Sequence, residues 1–422
     1  MTLKSADTLT LTDITSIAQR FDIPEPVQLE DYPQKGNINL HTYQVTDGDG
    51  QHYLLQSINE RVFTRPDNTM QAMIAALDAQ REYLANNDLP AGVDWLPIRL
   101  ISTHQGDAYV TIPDLQHASV WRLMIKIPAC RTYKSLSEID DPQARLHAAE
   151  EAGRGMALYL RLTAAMKTEG LESPLPGYRD TRLYYNQLLS VLAGNRTYAQ
   201  AAIYLPDDET VLHSTQEHFL VHLPESEARD RREDPELHHF ISLAQHQMDH
   251  ALSLQRRMEA GEISTVAIHG DPKIENFLFD EQTGCVKSMV DLDTIMPQTW
   301  LVDWGDMTRS LVNIAGEKEP NLSKVVVDEY IYEAVTRGFL SASENLPIEE
   351  IELMADATEV MALELGVRFL VDYLRGDNYF RLAPTDPHAL NKVRAMVQLR
   401  LFEQLRECRD SARARIRELA SY

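Results

Sequence analysis

A loop of eight residues and the hairpin predicted after it constrain the fold of this chain more than any other feature. Residues 269–276 read His-Gly-Asp-Pro-Lys-Ile-Glu-Asn, and the apolar residues 277–279 come directly after them. A turn at residues 280–284 leads to a second apolar stretch that ends at Asp291. Two short apolar stretches joined by a polar turn that contains glycine predict a β-hairpin. The hairpin would bring Asp291 back to a loop that already carries a carboxylate, an amide and a lysine.

The side chains of this loop and hairpin suit ATP-dependent transfer of a phosphoryl group, which depends on orienting the acceptor hydroxyl and neutralising the phosphates with Mg²⁺. Asp271 fits the base that takes the hydroxyl proton, and Lys273 lies where a cation could meet the transferring group. Asn276 and Asp291 fit Mg²⁺ ligands, because this ion prefers oxygen atoms and takes few of them from a protein. Asp293 could add a second metal oxygen or could hydrogen-bond a loop instead.

Several segments of the chain resemble the aminoglycoside phosphotransferase and choline kinase superfamily. Residues 36–39, 54–59 and 368–380 carry this resemblance, and residues 291–297 and 302–306 are similar to the branch that contains N-acetylhexosamine 1-kinase. A His-Gly-Asp loop alone is also compatible with an ordinary turn, so the functional interpretation depends on the joint pattern. The resemblance implies an α+β, protein-kinase-like fold of two lobes, with a small N-lobe of mainly antiparallel sheet and a larger, mainly helical C-lobe.

The resemblance also implies an activity. The chain would be an ATP- and Mg²⁺-dependent small-molecule kinase that transfers the γ-phosphoryl group to an alcohol group. A hydroxyl of a sugar is the expected acceptor, with the anomeric hydroxyl of a hexose or N-acetylhexosamine preferred. Two alternatives stay open: a kinase for an aminoglycoside, amino alcohol or other metabolite, and a pseudokinase that acts as a binding module.

Candidate acceptor-binding residues follow from the same resemblance. In the hexosamine kinases, an Arg and a Tyr in the places of Arg368 and Tyr379 contact the sugar, although Arg368 could instead bridge to Asp372 one helical turn away. Residues 178–181 read Tyr-Arg-Asp-Thr where the branch often has Phe-His-Asp-Thr, which leaves the identity of the acceptor open. In this superfamily an Asp after the metal-binding strand braces the catalytic loop, and Asp303 is the candidate for that role.

The nucleotide side of the site is marked less clearly. Gly36 and Asn37 lie where backbone N–H groups could cradle phosphates, with an ordinary loop as the alternative. Protein kinases carry a lysine on the next strand, but Gln56 stands in that place and Ser57 follows it. A neutral amide can donate hydrogen bonds to the nucleotide, but it does not neutralise charge. Lys273 is therefore the candidate for the missing cation, and Gln56 with Ser57 supports the pseudokinase alternative.

The pattern of apolar residues divides the chain into two parts. Residues 1–128 are predicted to form the nucleotide-binding lobe, with one helix that begins at Pro66, and residues 129–422 the helical lobe with the catalytic loop and the substrate site. The hinge, where adenine would bind, is predicted at residues 128–131. The predicted strands cover residues 38–45, 52–58, 108–112 and 120–127. The predicted helices of the second lobe cover residues 141–162, 237–258 and 389–419.

The composition restricts the partners and the location. A net charge of -24 at pH 7 opposes binding to nucleic acid and would attract a cationic acceptor. The three cysteines are widely spaced and predict neither a disulfide framework nor a cysteine metal site. No apolar run approaches membrane-spanning length, and the first twelve residues lack a signal-peptide core. We expect a cytoplasmic protein that binds a nucleotide and a small-molecule acceptor, with no nucleic-acid or membrane partner, and the oligomeric state is left open.

Overall fold

A small antiparallel sheet is followed along the chain by a larger, mainly helical part. The computed structural model describes the chain with a few short gaps, namely residues 9–33, 38–39, 41–90, 92–113, 118–380, 382 and 386–421. Gly36 and Asn37, which the sequence predicts to bind phosphate, lie outside the described residues. The order of the elements confirms the α+β fold with two lobes.

The first part contains five strands and two helices. In chain order these are α1 (Leu11–Ala18), β1 (Gln28–Asp31), β2 (Thr42–Thr46), β3 (His52–Ser57), α2 (Pro66–Asn86), β4 (Val110–Pro113) and β5 (Ala118–Ile125). The strands lie in the order β1-β2-β3-β5-β4, and all neighbouring pairs are antiparallel. The four predicted strands are present as β2 to β5, whereas α1 and β1 are not among the predicted elements.

The sheet buries apolar side chains on both faces. Along β3, Leu55 belongs to a core that includes Ile17 of α1, while Leu54 packs against the larger core of the protein, because neighbouring strand residues point to opposite faces. Met70 of α2 lies in that larger core together with Met156 of the helical part. Full burial of one such side chain stabilises the fold by about 1.5–3 kcal/mol. Helix α2 therefore attaches the sheet to the helical part.

The larger part contains fourteen of the described helices and five short strands. In chain order these are β6 (Cys130–Arg131), α3 (Pro142–Thr163), α4 (Thr181–Leu192), α5 (Tyr198–Ala201), α6 (Glu209–Thr215), α7 (Glu225–Arg232), α8 (Pro235–His246), α9 (Met248–Ala251), α10 (Ser253–Glu259), β7 (Val266–Ile268), β8 (Phe277–Asp280), β9 (Val286–Met289), β10 (Met296–Gln298), α11 (Trp300–Val312), α12 (Glu329–Ala342), α13 (Ile348–Ile351), α14 (Met354–Arg375), α15 (Leu390–Glu407) and α16 (Arg409–Ala420). Of the helices described, none has the length and apolar content needed to cross a membrane. The domain boundary at residue 128 stays a prediction, and it falls between β5 and β6.

Two of the predicted helices are interrupted. Residues 237–258 form α8, α9 and α10, and residues 389–419 form α15 and α16 with a break at Cys408, where φ is -96° and ψ is 8°. After this break, Arg413 of α16 pairs with Asp356 of α14 at 2.6 Å. The prediction of single helices is wrong at these points, because an apolar stripe can continue across a local change of backbone angles.

Short strands of the larger part position the candidate site. Strand β7 pairs antiparallel with β10 and ends at Ile268, immediately before the predicted catalytic loop. Strands β8 and β9 form the predicted hairpin, which ends two residues before Asp291. Helix α11 begins at Trp300, directly after β10 and Thr299. The loop, the end of the hairpin and the first turns of α11 are therefore neighbours in space.

Candidate active site

Asp303 of α11 holds the backbone of the loop that follows β7. Its carboxylate accepts hydrogen bonds from the backbone N–H groups of His269 at 2.6 Å and of Gly270 at 2.9 Å. Burial raises the pKa of Asp303 to about 7, although the two backbone donors and Arg179 act in the opposite direction. The contact fits the bracing role expected for Asp303, and it fixes the backbone just before Asp271.

Gly270 occupies a position that a side chain would not fit. Its φ of 85° is left-handed, and a Cβ atom here would lie 2.4 Å from the carbonyl oxygen of Thr294. The carbonyl oxygen of Gly270 accepts hydrogen bonds from the Tyr178 hydroxyl at 2.9 Å and from the Arg179 guanidinium at 2.8 Å. The peptide groups on both sides of Gly270 are thus fixed by residues distant in sequence.

Replacing Gly270 with Ala should therefore destabilise the fold. The left-handed conformation costs a residue with a side chain about 1–2 kcal/mol, and the overlap with Thr294 adds to this cost. We expect the free energy of unfolding, measured with urea, to fall by more than about 2 kcal/mol. Gly261→Ala is the matched control, because Gly261 has a φ of 70° and open space around its Cβ position. Equal losses of unfolding free energy in the two variants would contradict the overlap with Thr294 as a cause of the destabilisation.

His269 links the loop to the end of β9. Its buried ring donates from Nε2 to the carbonyl oxygen of Val290 at 2.9 Å and accepts at Nδ1 from the backbone N–H of Asp271 at 3.3 Å. Burial lowers the pKa of His269, so the ring is neutral and one nitrogen is able to accept. The imidazole therefore holds Asp271 close to Val290, the residue before Asp291.

Asp271 has one carboxylate oxygen held by the loop. Its Oδ2 lies 2.9 Å from Nζ of Lys273 and 3.4 Å from Nδ2 of Asn276, whereas Oδ1 accepts no hydrogen bond from any described residue. Lys273 also pairs with Glu275 at 3.0 Å. Burial lowers the pKa of Lys273, but the carboxylates of Asp271, Glu275 and Asp291 outweigh burial and hold that pKa well above its usual range. The free oxygen of Asp271 is placed to accept the proton of a hydroxyl.

Asn276 and Asp291 supply oxygen atoms that the rest of the site leaves unpaired. The amide nitrogen of Asn276 donates to the backbone oxygen of Asp271 at 2.8 Å, and its oxygen has no partner among the residues that the structure describes. Asp291 has a left-handed φ of 62°, and its carboxylate makes no hydrogen bond within the same residues. Burial and the neighbouring Asp293 raise the pKa of Asp291 to about 7. These surroundings disfavour a charged carboxylate without a partner. A divalent cation such as Mg²⁺ would supply that partner, so the site fits such an ion.

Both oxygens of Asp293 are engaged by the first lobe. Oδ1 accepts from Nη1 of Arg122 at 2.5 Å, and Oδ2 accepts from the amide of Asn39. Asp293 and Arg122 are each 2 % exposed. Of the two roles considered for Asp293, these contacts match the hydrogen bond to a loop, while the second metal oxygen stays a prediction.

Arg122 lies beside Gln56, where protein kinases would carry the strand lysine. The two residues are opposite each other on β5 and β3, and Oε1 of Gln56 accepts from Nε of Arg122 at 3.2 Å and from Nη2 at 2.5 Å. Nε2 of Gln56 donates to the Thr42 hydroxyl at 3.1 Å, and that hydroxyl donates to the backbone oxygen of Asn39 at 2.9 Å. Together with Asp293, these contacts close a ring that we call the strand ring: Asn39, Thr42, Gln56, Arg122 and Asp293.

Sequence reasoning missed Arg122 and Asn39. The signal that marks Arg122 is a single charged residue inside the apolar stretch of residues 120–125. A charge in the middle of a buried strand requires a partner, but the partner, Asp293, lies 171 positions away. Lys273, predicted to supply the missing cation, is paired with carboxylates of its own loop.

A second buried guanidinium lies behind the loop. Arg179 pairs with Asp306, lies 3.4 Å from Glu364 and donates to the Gly270 oxygen. Asp306 also accepts from Arg309 at 2.9 Å. Arg179, the Arg of the sequence Tyr-Arg-Asp-Thr, therefore supports the loop from inside the C-lobe.

Replacing Asp306 with Asn should destabilise the protein most at neutral pH. Burial acts to raise the pKa of Asp306, but Arg179 and Arg309 hold it well below its usual value. A carboxyl group whose pKa is lower in the folded state stabilises the fold fully above its pKa in the unfolded chain, about 3.9. This stabilisation is lost as the pH falls from there towards the pKa of the group in the folded state. We expect the free energy of unfolding, measured with urea, to be lower than that of the wild-type protein by about 3–5 kcal/mol near pH 7. This difference should become smaller below about pH 4. A loss that stays constant with pH would contradict the ion pairs as its cause.

Arg368 and Tyr379 line one cavity of about 320 Å³. The guanidinium of Arg368 lies 3.5 Å from the Tyr379 hydroxyl. The alternative bridge to Asp372 is not formed, because that carboxylate accepts three backbone N–H groups of residues 378–380 instead. Tyr178, which donates to the carbonyl oxygen next to Asp271, lines the same cavity and connects it to the catalytic loop.

Comparison with known proteins agrees with this geometry. A model of the phosphotransferase enzyme family, abbreviated APH, matches residues 33–331 of the chain. The chain belongs to this family. It is a phosphotransferase with an alcohol group as acceptor, as the sequence predicts. The assignment to the N-acetylhexosamine branch stays a prediction.

Solved structures of kinases share the fold of this phosphotransferase. A microcompartment-associated aminopropanol kinase is 13% identical with a TM-score of 0.56, and the match covers 96% of this chain and 100% of that chain. An amicoumacin kinase in complex with AMP-PNP, Ca²⁺ and Ami is 13% identical with a TM-score of 0.52, over 92% and 93% of the two chains. An aminoglycoside phosphotransferase from Alicyclobacillus acidocaldarius has the same identity and TM-score over 99% of both chains. At this identity the likeness establishes the kinase-like fold.

Proposed function

We propose that this phosphotransferase is an ATP- and Mg²⁺-dependent kinase that phosphorylates a hydroxyl of a sugar, preferably the anomeric hydroxyl of a hexose or N-acetylhexosamine. The observation that carries the proposal is the environment of Asp271. Its free oxygen lies on a braced loop, with the unpaired oxygens of Asn276 and Asp291 nearby and a cavity lined by Arg368 and Tyr379 beside it. Orientation of the hydroxyl and charge stabilisation are the main requirements of phosphoryl transfer.

Each residue of the loop would have a separate task. Asp271 would orient the acceptor hydroxyl and take its proton at Oδ1, while Lys273 and Asn276 hold Oδ2 in place. Asn276 and Asp291 would hold Mg²⁺, which supplies positive charge to the phosphates when bound. A fold relative described in complex with AMP-PNP and Ca²⁺ supports a nucleotide with a divalent cation as ligands here.

The nucleotide would meet a cation from the first lobe. Gly36 and Asn37 keep their predicted role at the phosphates. Gln56 uses its amide oxygen for Arg122, so we assign it the task of orienting this guanidinium. Arg122 would thus place a guanidinium, paired with Asp293, where protein kinases carry the strand lysine, and this weakens the sequence argument for a pseudokinase.

One observation favours a second acceptor class. The aminopropanol kinase shares the fold over nearly the whole chain, and the net charge of -24 would attract an amine from solution. An amino alcohol or aminoglycoside is therefore the second candidate acceptor, and the acceptor screen below includes both.

MgATP should raise the melting temperature of the protein. A ligand that binds only the folded state stabilises it by about 2.7 kcal/mol at about 100 times its Kd. We expect the shift to require both components, so ATP with EDTA and Mg²⁺ alone should give little change. The absence of a shift at millimolar MgATP, across several salt concentrations, would contradict an active kinase and support the pseudokinase.

An ATP-consumption screen tests the acceptor directly. The panel contains N-acetylhexosamines, hexoses, aminoglycosides, choline and amino alcohols, and each reaction is repeated with the Asp271→Asn variant. We expect a sugar to cause ATP consumption, and we expect this consumption to be lost in the Asp271→Asn variant. Product analysis should place the phosphate on the anomeric oxygen. Faster ATP consumption with an amine-bearing acceptor than with any sugar would contradict the sugar as the acceptor and support the second candidate.

A further inference from the structure

The cavity beside the catalytic loop contains hydrogen-bond donors without partners. Gln187 of α4 and Arg375 of α14 both line it and are 5 % and 3 % exposed. The Nε2 atom of Gln187 and the Nε atom of Arg375 are buried and have no partner in the described chain. A buried donor without a partner is costly, and this cost is removed when a ligand supplies an acceptor atom.

The carboxylates of the cavity wall and directly behind it, in contrast, are already occupied, whereas the free oxygen of Asp271 belongs to the catalytic loop. Asp372 is the one acidic residue among the described lining residues, and its oxygens accept from the backbone N–H groups of residues 378–380 at 2.8–3.0 Å. Glu364, close by, accepts from Thr181 at 2.6 Å and pairs with Arg179. In the described part of the cavity wall, no carboxylate is left to receive an ammonium group.

The aromatic rings of the cavity already enclose a cation. The guanidinium carbon of Arg368 lies 4.8–5.9 Å from the ring centroids of Tyr178, Tyr184, Tyr379 and Phe380. An aromatic cage of this kind can recognise an ammonium ligand, but here Arg368 occupies it. Arg368 pairs with no carboxylate of the described residues, so its charge is available to a ligand.

His218 adds a donor and an acceptor to this wall without adding charge. Its ring packs edge-on against Tyr379 with 5.1 Å between the centroids. Burial, together with Arg375 and Arg368, lowers the pKa of His218 to about 3, so the imidazole is neutral. Arg368 and Arg375 line the cavity beside this neutral ring, and at physiological salt only charges within about 8 Å act strongly on a bound ligand.

We propose that Gln187 and Arg368 bind a carbonyl or carboxylate oxygen of the acceptor, and that the cavity rejects acceptors bearing an ammonium group. The proposal rests on the proposed function only in taking this cavity as the acceptor site. The acceptor would then be a hydroxylated molecule with an acylamino or carboxyl substituent. Its oxygen would receive the free Nε2 hydrogen of Gln187 and a hydrogen bond from the guanidinium.

Three related sugars separate the possible substituents: N-acetylglucosamine carries an acylamino group, glucuronate a carboxylate and glucosamine an ammonium group. Binding is measured by calorimetry with the protein saturated with Mg²⁺ and AMP-PNP, and turnover is measured separately with MgATP. We expect one or both of the first two sugars to bind at least about tenfold more tightly than glucosamine. Equal or tighter binding of glucosamine, or no binding of any of the three, would overturn the inference. Selective binding without turnover would support the inference and contradict the proposed kinase activity.

Variants of Gln187 test its part in this selection. Gln187→Glu places a carboxylate in the wall and should reduce the preference for the favoured sugar over glucosamine by about tenfold or more. Gln187→Leu should weaken binding of the favoured sugar by about tenfold. Gln245→Glu, at an exposed position of α8, is the matched control with the same change of charge. Retention of the MgATP-induced thermal shift identifies variants that are folded. An unchanged preference in both folded variants of Gln187 would exclude this residue from acceptor binding and overturn the proposal.

Discussion

Asp271→Asn should lower turnover by about two to four orders of magnitude while leaving nucleotide binding nearly intact. An amide at this position still hydrogen-bonds the acceptor but does not take its proton. The proposed Mg²⁺ ligands, Asn276 and Asp291, keep their oxygens in this variant. The backbone contacts of the loop come from Asp303 and Tyr178, so they also persist. The expected result is a normal thermal shift with MgATP and a severe loss of turnover with the best acceptor.

Asp249→Asn provides the control for this change, because Asp249 is exposed on α9 and pairs with Arg256 at the surface. It should keep the turnover of the wild-type protein. Near-normal turnover of Asp271→Asn would contradict the assignment of the base. Loss of the thermal shift together with turnover would instead indicate that the substitution disturbs the loop.

The catalytic side of the site was predictable because its residues are close in sequence. Asp271 and Asn276 lie on one loop, and the apolar pattern of residues 277–291 alone predicts the hairpin that returns Asp291 to it. The role of Asp303 was expected from the resemblance to the superfamily, and its contacts with the loop fit that role. Between the loop and the end of the hairpin the chain is short, so spacing and periodicity determine which of these residues meet.

The first-lobe side of the site was not predictable in the same way. The contact of Arg122 with Gln56 depends on the register of β3 and β5, and its contact with Asp293 depends on how the two lobes pack. Neither the strand register nor the packing of the lobes can be read from the spacing of nearby residues in the sequence. The same limit applies to the cavity: Arg368 and Tyr379 were expected from resemblance, whereas Gln187 of α4 meets them only in the folded chain.

Arg122→Met should destabilise the protein and weaken nucleotide binding together. Removing the guanidinium leaves the buried carboxylate of Asp293 without a counter-charge, and breaking a buried ion pair from one side costs about 3–5 kcal/mol. Gln56 loses the partner of its amide oxygen at the same time, which opens the strand ring. Because the ring joins the sheet to the segment that carries Asp291, we expect the KM for ATP to rise as the free energy of unfolding falls.

Two further variants separate charge from packing in this result. Arg122→Lys keeps the charge but lacks the fork that reaches both Gln56 and Asp293, so an intermediate loss is expected. Adding Asp293→Asn to Arg122→Met removes the unpaired charge and should restore part of the stability, but not the KM for ATP, if Arg122 contacts the phosphates. Arg182→Met is the control, since its exposed ion pair with Glu259 contributes about 0–1 kcal/mol. A loss in Arg122→Met no larger than in this control would contradict the strand ring as a link between the lobes.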